Sequence, residues 1–350
     1  MEVKALKFGG LTAKRPIVQG GMGVGVSLSS LAGNVAKCGG VGTISGVHPG
    51  YREADFKENP FRANLRAIGN ELEKAKEIAN GGIIGFNFMT VMNHYEEYVK
   101  EAIAAGADFI VSGAGLPANL AKYAAGTRAA ILPIVSSARA LKLIVKQWQR
   151  ADRIPDAVVV EGPLAGGHLG YPYGHLVDGT FDTLEDSLVD VVDYVRELEE
   201  KNGVKIPVIA GGGVRNYADM ERLMALGASG VQVGTKFVAT EECDAAPAFK
   251  QAYLRSRKED VQLIESPVGL AARAIRNSFL EKVEKQGRIP VQRFYQCMNH
   301  CKQAETKYCI SQALIDAVQG REGLVFCGAN AYEIEKLSTV EKVMQELCGE

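Results

Sequence analysis

Short apolar runs recur along the chain at 16–19, 41–45, 83–89, 109–112, 131–136, 157–161, 207–210 and 231–233, each closed by glycine or a small polar residue. Their positions are apolar continuously rather than alternately, as expected of strands buried on both faces of a parallel sheet. Helix-period segments lie between them. Leu184, Leu188, Val191, Val192, Val195 and Leu198 line one face of a segment whose other face is acidic. Thr183 followed by Asp186 predicts a capping box at its start. Helices are also predicted over 138–149 and 217–226. Eight strands alternating with helices predict an α/β fold of the (β/α)8 TIM-barrel class, with a doubly wound open sheet as the alternative.

The rhythm changes after Val238. Residues 240–325 hold helical stretches, charged clusters and most of the cysteines, and read as a helical cap inserted after the eighth strand. The expected division is a barrel over 1–239, the cap with its cysteine cluster over 240–325, and a return segment over 326–350. Val340 to Leu347 within the last would be the closing barrel helix.

Composition narrows the function. The 350 residues are 47% hydrophobic, enough for a large core, and 40 Lys plus Arg balance 41 Asp plus Glu. No net basic field is available to hold nucleic acid or an anionic membrane. Residues 1–14 lack the apolar core of a signal peptide, and no apolar run reaches the ~18 residues of a membrane span. Seven cysteines, an odd number in a chain that needs no disulfides, point to a reducing cytoplasm.

In a parallel barrel, function collects on the loops leaving the strands' C-terminal ends. The loops after the seventh and eighth strands read Ala210-Gly211-Gly212-Gly213 and Val233-Gly234-Thr235. Glycine lets backbone amides approach a phosphate closely, so these two loops are the candidate phosphate grip. The first loop, Gly20-Gly21-Met22-Gly23-Val24-Gly25, lacks the acidic residue that a dinucleotide fingerprint needs ~20 positions on. Its glycines would instead let backbone lie against a flat ring. The sixth loop, Glu161-Gly162-Pro163-Leu164-Ala165-Gly166-Gly167-His168, presents a histidine suited to proton transfer near neutrality. Tyr171-Pro172-Tyr173 beyond it reads as an aromatic lid or as loop packing, and Arg255-Ser256-Arg257-Lys258 as a solvated helix end.

Taken in order, Gln19-Gly20-Gly21-Met22-Gly23, Gly85-Phe86-Asn87, Ser112-Gly113-Ala114-Gly115, Ala165-Gly166-Gly167-His168, Ile209-Ala210-Gly211-Gly212-Gly213 and Val231-Gln232-Val233-Gly234-Thr235-Lys236-Phe237 resemble the nitronate monooxygenase (2-nitropropane dioxygenase) family. They also resemble its close relative, the FMN-dependent enoyl-ACP reductase of the second type. The likeness runs from about residue 8 to 240, with an echo at 272–277. It implies FMN in the barrel, its phosphate on Gly211, Gly212, Gly213, Gly234 and Thr235. The ring would lie near Gly21, Met22, Gly23, Asn87 and Ser112, with His168 facing it as the active-site histidine, and Glu161, Gly166 and Gly167 would complete the cofactor-binding set. The monooxygenase branch tends to carry glutamine at the sixth strand's end and the reductases glutamate, as Glu161 does here. The expected activity is oxidation of a small alkyl nitronate with O2. The rival is NAD(P)H-dependent reduction of an enoyl thioester, and a non-catalytic flavin or metal redox sensor is the third reading. A homo-oligomer is expected.

Cys297, Cys301, Cys309 and Cys327 stand apart from these motifs. Thiolates at this density suit zinc or an iron–sulfur cluster, with His300 able to replace one ligand, although the spacing matches neither common pattern. Reduced, metal-free thiols are the alternative.

Overall fold

The eight runs close on themselves. In the computed structural model, which describes residues 4–295, 297–298 and 301–350, they form a parallel barrel. Its strands are β1 (Ile17–Gln19), β2 (Val41–Ser45), β3 (Ile83–Met89), β4 (Phe109–Gly113), β5 (Ala130–Val135), β6 (Val158–Glu161), β7 (Val208–Gly211) and β8 (Gly230–Val233). β8 pairs back onto β1 through Val231 opposite Ile17, so the open-sheet alternative falls.

Apolarity on both faces follows from two packed layers. Val18, Val41, Phe109, Val111, Leu132, Val159 and Ile209 point inward, where Leu6 and Phe8 of the hairpin Leu6–Phe8/Leu11–Ala13 join them. Ile17, Ile44, Ile84, Ile110, Val158, Val160, Val208 and Val231 belong to the outer core. The barrel helices are α1 (Ser29–Lys37), α2 (Pro60–Ala79), α3 (Tyr95–Ala104), α4 (Leu120–Tyr123), α5 (Ala138–Trp148), α6 (Leu184–Asn202), α7 (Tyr217–Ala225) and α8 (Val340–Cys348). The capping box forms at α6: Thr183 Oγ1 accepts from the Asp186 N–H, and Asp186 Oδ2 from the Thr183 N–H, both at 3.2 Å.

The insertion before α8 is more than helical. It holds the helices Pro247–Arg255, Ser278–Gln286 and Ile310–Val318, but also an antiparallel ribbon, Val261–Glu265 with Ala271–Ile275. The ribbon adopts Gly167–His168 as a third strand, with Ala272 opposite His168 and Arg273 opposite Gly167. A second tether is Asp244, whose carboxylate accepts the backbone N–H groups of Leu28, Ser30 and Leu31 at 2.8–3.2 Å. Three amides at the start of α1, which have no partner within the helix, are satisfied in this way.

Candidate active site

Strand period decides which side chains reach the mouth. On β6, Val158 and Val160 join the outer core and Val159 the inner layer, so Glu161 continues the inner row. The register sets Gly211 level with Glu161 on one side and with Gln232 on the other. Above this ring opens a cavity of about 440 Å3. Gly21, Met22, Gly23, Asn87, Glu161, Gly166, Gly167, His168, Gly212, Gly213, Gly234 and Thr235 all line it.

Two glycine features have clear causes. A Cβ on Gly21 would lie 2.3 Å from that of Asn87, so only glycine lets the first loop rest there. Gly212 and Gly213 have φ of +107° and +86°, which turns the chain sharply out of β7. The backbone amides of Gly212, Gly213, Gly234 and Thr235 find no acceptor among the described residues, although all four residues border the cavity. Arg215 and Lys236 flank them and are partly neutralised, Arg215 by Asp219 and Glu333, Lys236 by Glu346. Unclaimed amides beside two cations suit a phosphate monoester, so this corner fits the phosphate end of FMN.

His168 forms part of the same cavity wall. Its Nε2 lies 2.9 Å from Ser266 Oγ, and its ring meets Phe326 edge to face at a centroid distance of 5.0 Å. Burial lowers its pKa to about 4, so the imidazole is neutral at physiological pH. Burial acts oppositely on Glu161, whose carboxyl rises to about 7. No charged neighbour contributes to either shift. Such a divergent pair is the usual sign of separate acid and base duties. The loop that carries His168 is held by the ribbon, where buried Arg273 donates to the Ala165 carbonyl and Leu169 N–H to Ala271 O at 2.8 Å.

Several expected placements are corrected. Ser112 does not face the cavity: β4 points Val111 inward, so Ser112 turns to the helices, bonding Phe88 O and Tyr95 Oη. Gly113 and Ala114 line the mouth instead. Gly211 remains in the strand ladder, below the cavity wall. Tyr171 and Tyr173 pack with Leu169, Leu176 and Leu263, and are not a lid. Arg255, Arg257 and Lys258 are exposed, as expected.

The four cysteines do not make one centre. Cys327 lines the first cavity and its N–H bonds Arg273 O, whereas Cys297 lines a different cavity and lies by Ser311. Cys309 precedes the helix Ile310–Val318, and Cys301 lines neither cavity. Cys301 and Cys309 lie near Cys297, where both add to the upward push that burial gives its thiol, and Cys327 stands apart on the first cavity. Among the described residues no group of three or more His, Cys, Asp or Glu is placed to hold a metal, and His300 lies outside them. Sequence reasoning missed Ser266, Phe326 and Asn330, which reach the site only through the insertion, and left Arg273 as part of the 272–277 echo with no role. Arg215, Gln232 and Lys236 sat beside glycines already singled out.

A family model described as nitronate monooxygenase matches residues 4–350. A probable nitronate monooxygenase of Staphylococcus saprophyticus is 26% identical over 306 residues, covering 81% of this chain and 82% of that protein. One of Staphylococcus haemolyticus is 35% identical over 136 residues, 39% of this chain and 36% of its own. Among solved structures, FabK from Thermotoga maritima aligns with a TM-score of 0.72 at 24% identity, covering 96% of this chain and 92% of that one. A nitroalkane oxidase from Streptomyces ansochromogenes gives 0.66 at 20%, covering 96% and 95%. At those identities the two structures speak for the barrel fold. The family match spans hairpin, barrel, insertion and closing helix together, and the chain therefore belongs to the nitronate monooxygenase family of FMN-dependent enzymes.

Proposed function

We propose that this chain oxidises alkyl nitronates with O2, yielding a carbonyl compound and nitrite, with FMN held across the barrel mouth. The observation that carries the reading is a neutral imidazole, His168, set in the same cavity as four unclaimed backbone amides. In this reading Gly212, Gly213, Gly234 and Thr235 hold the cofactor phosphate, with Arg215 and Lys236 balancing its charge. Gly21, Met22, Gly23 and Asn87 lie against the ring, and Gly166 and Gly167 bring the histidine close. FMN, when bound, supplies electron exchange with substrate and O2.

The protein's own groups handle the proton. Ser266 holds the ring at Nε2, and Nδ1 has no partner among the described residues, so Nδ1 is the nitrogen left for substrate. It accepts the α-proton of a neutral nitroalkane; in the other tautomer, with Ser266 Oγ donating to Nε2, Nδ1–H donates to a preformed nitronate. Residues 1–239 serve as the FMN-binding barrel, 240–325 as the cap, and 326–350 as the return segment with the closing barrel helix. Among the described residues no helix is long and apolar enough to cross a membrane. The cysteines are free thiols, and a cytoplasmic site of action completes the proposal.

One observation favours a second reading, reduction of an enoyl thioester by NAD(P)H: the carboxyl of Glu161 where the monooxygenase branch tends to carry an amide. The deciding experiment uses FMN-loaded protein. Nitrite released in step with O2 consumption is the expected result. Bleaching by NAD(P)H without substrate, reversed by an enoyl thioester, with no nitrite from any nitronate, would overturn the first reading for the second. His168→Ala should keep FMN and slow neutral nitroalkane by about 10²–10⁴, more than preformed nitronate. Equal losses on both would leave the histidine a positioning role only.

A further inference from the structure

A second cavity, of about 410 Å3, shares Val47, Met89, His168 and Leu314 with the first. It forms where the start of α2 and the segment after β3 meet residues of the insertion. The imidazole of His168 therefore borders two chambers, one at the barrel mouth and one beneath the cap. Nothing in the chemistry proposed above uses the second.

Four polar side chains of that chamber, His48, Asn64, Tyr98 and Ser311, satisfy one another. His48 Nε2 lies 2.8 Å from Ser311 Oγ, and His48 Nδ1 lies 3.3 Å from Asn64 Nδ2. Asn64 Oδ1 accepts from the Gly50 N–H at 3.0 Å, and its Nδ2 also donates to Tyr98 Oη at 3.1 Å. A network satisfied within itself asks nothing of a ligand. The remaining walls include Phe61, Met92, Val268 and Tyr295, with shared Met89 and Leu314. Aromatic rings and flexible thioethers suit an apolar guest of variable shape. Glu58, also in the wall, disfavours an anionic one. A concave space of this size, apolar along one side, falls within the usual range of small-molecule sites.

We propose that this chamber is the subsite for the hydrocarbon end of the substrate. The substrate class is then a medium-chain or arylalkyl nitronate, not a short one. Its anionic head occupies the first cavity beside His168, and its uncharged tail passes the imidazole into the space between Phe61, Met92 and Val268. This assignment rests on the nitronate reading for the head group, and its test is a binding measurement that needs no turnover.

The FMN-loaded enzyme is titrated calorimetrically, without O2, with primary 1-nitroalkanes of increasing length and with 2-phenylnitroethane. Kd should fall about fourfold for each added CH2 until the chamber is filled, the change that burying one methylene carries. Val268→Trp, on a half-buried turn, and Met92→Phe, inside, each place bulk in the chamber and should flatten the series. The fold of each variant is checked by circular dichroism. A Kd that does not change with chain length in the wild type would overturn the subsite. So would a steep series that neither bulky variant flattens, since the tail would then lie elsewhere. Nitrite release is scored separately. A steep, variant-sensitive Kd series with no nitrite from any nitronate would keep the apolar subsite and reject the nitronate reading.

Discussion

Glu161 and His168 lie seven positions apart in the chain, and burial pushes their titrations in opposite directions. For His168, a pKa of about 4 means that the base form is complete throughout the neutral range, so turnover of neutral nitroalkane should show no inflection near 6.5. Glu161 behaves otherwise. Near its pKa of about 7 it passes from neutral to anionic, and above that it repels an anionic nitronate. Two unit charges ~6 Å apart at an effective dielectric of ~20 interact by roughly 3 kcal/mol, so the ceiling is about a hundredfold in affinity. The expected outcome is a nitronate KM that rises from pH 6 to 8.5 in the wild type and stays level in Glu161→Gln. A wild-type KM that is level over that range would mean that Glu161 turns away from the substrate. Both residues were legible as candidates, because strand-end and glycine-flanked positions carry chemistry in this fold. Ser112 was misplaced for want of counting by twos: Val111 faces in, so its neighbour faces out.

At the scale of elements, the phosphate corner depends on backbone shape. A Cβ on Gly212 would lie 3.1 Å from Ala165 N and Gly162 O, at a φ of +107° that L residues rarely adopt. Strain of this kind costs about 1–3 kcal/mol. Gly212→Ala should therefore weaken FMN binding about tenfold or more, read as a rise in Kd by flavin fluorescence. Unchanged affinity would move the phosphate to another loop. The ribbon Val261–Glu265/Ala271–Ile275 was not legible in the sequence. Its third strand, Gly167–His168, lies about a hundred residues earlier and is two residues long, too short to show a period. Helices were readable because their partners are local: the capping box of α6 joins Thr183 to a residue three positions on.

For the whole molecule, the buried titrations set a pH dependence of stability. His48 and His168 fall from 6.5 to about 4 on folding, while Glu161 rises from 4.5 to about 7. The imidazoles' contribution is present above 6.5 and is lost as pH falls, because the unfolded chain takes up protons that the folded one refuses. The contribution of Glu161 runs the other way and is lost as pH rises through 7. Between about 4.5 and 6.5 the two imidazoles outweigh the one carboxyl by one proton. For these groups stability of the FMN-free protein should rise with pH by roughly 1.4 kcal/mol per unit. His48→Gln should bring that slope near zero. Urea unfolding at pH 5.0, 5.75 and 6.5 checks it, and equal slopes in both proteins would show that His48 protonates freely in the native state.

The sequence by itself determined the barrel, its eight strands, the closing helix and the glycine-rich loops that border the cavity. Each of these is written in a local pattern: a continuous apolar run, a 3.6-residue stripe, a glycine where the backbone must turn or approach. The tertiary structure decided what depends on distant segments. It turned part of the expected helical cap into a ribbon, and used that ribbon to fix the histidine loop through Arg273 and Ser266. It also set Cys327 apart from Cys297, Cys301 and Cys309 and placed a second chamber behind His168. Spacing along a chain constrains neighbours on one element. It cannot tell which loops will meet once a closed barrel has gathered the loops that leave its eight strands at one rim, and there only packing between remote segments sets the contacts.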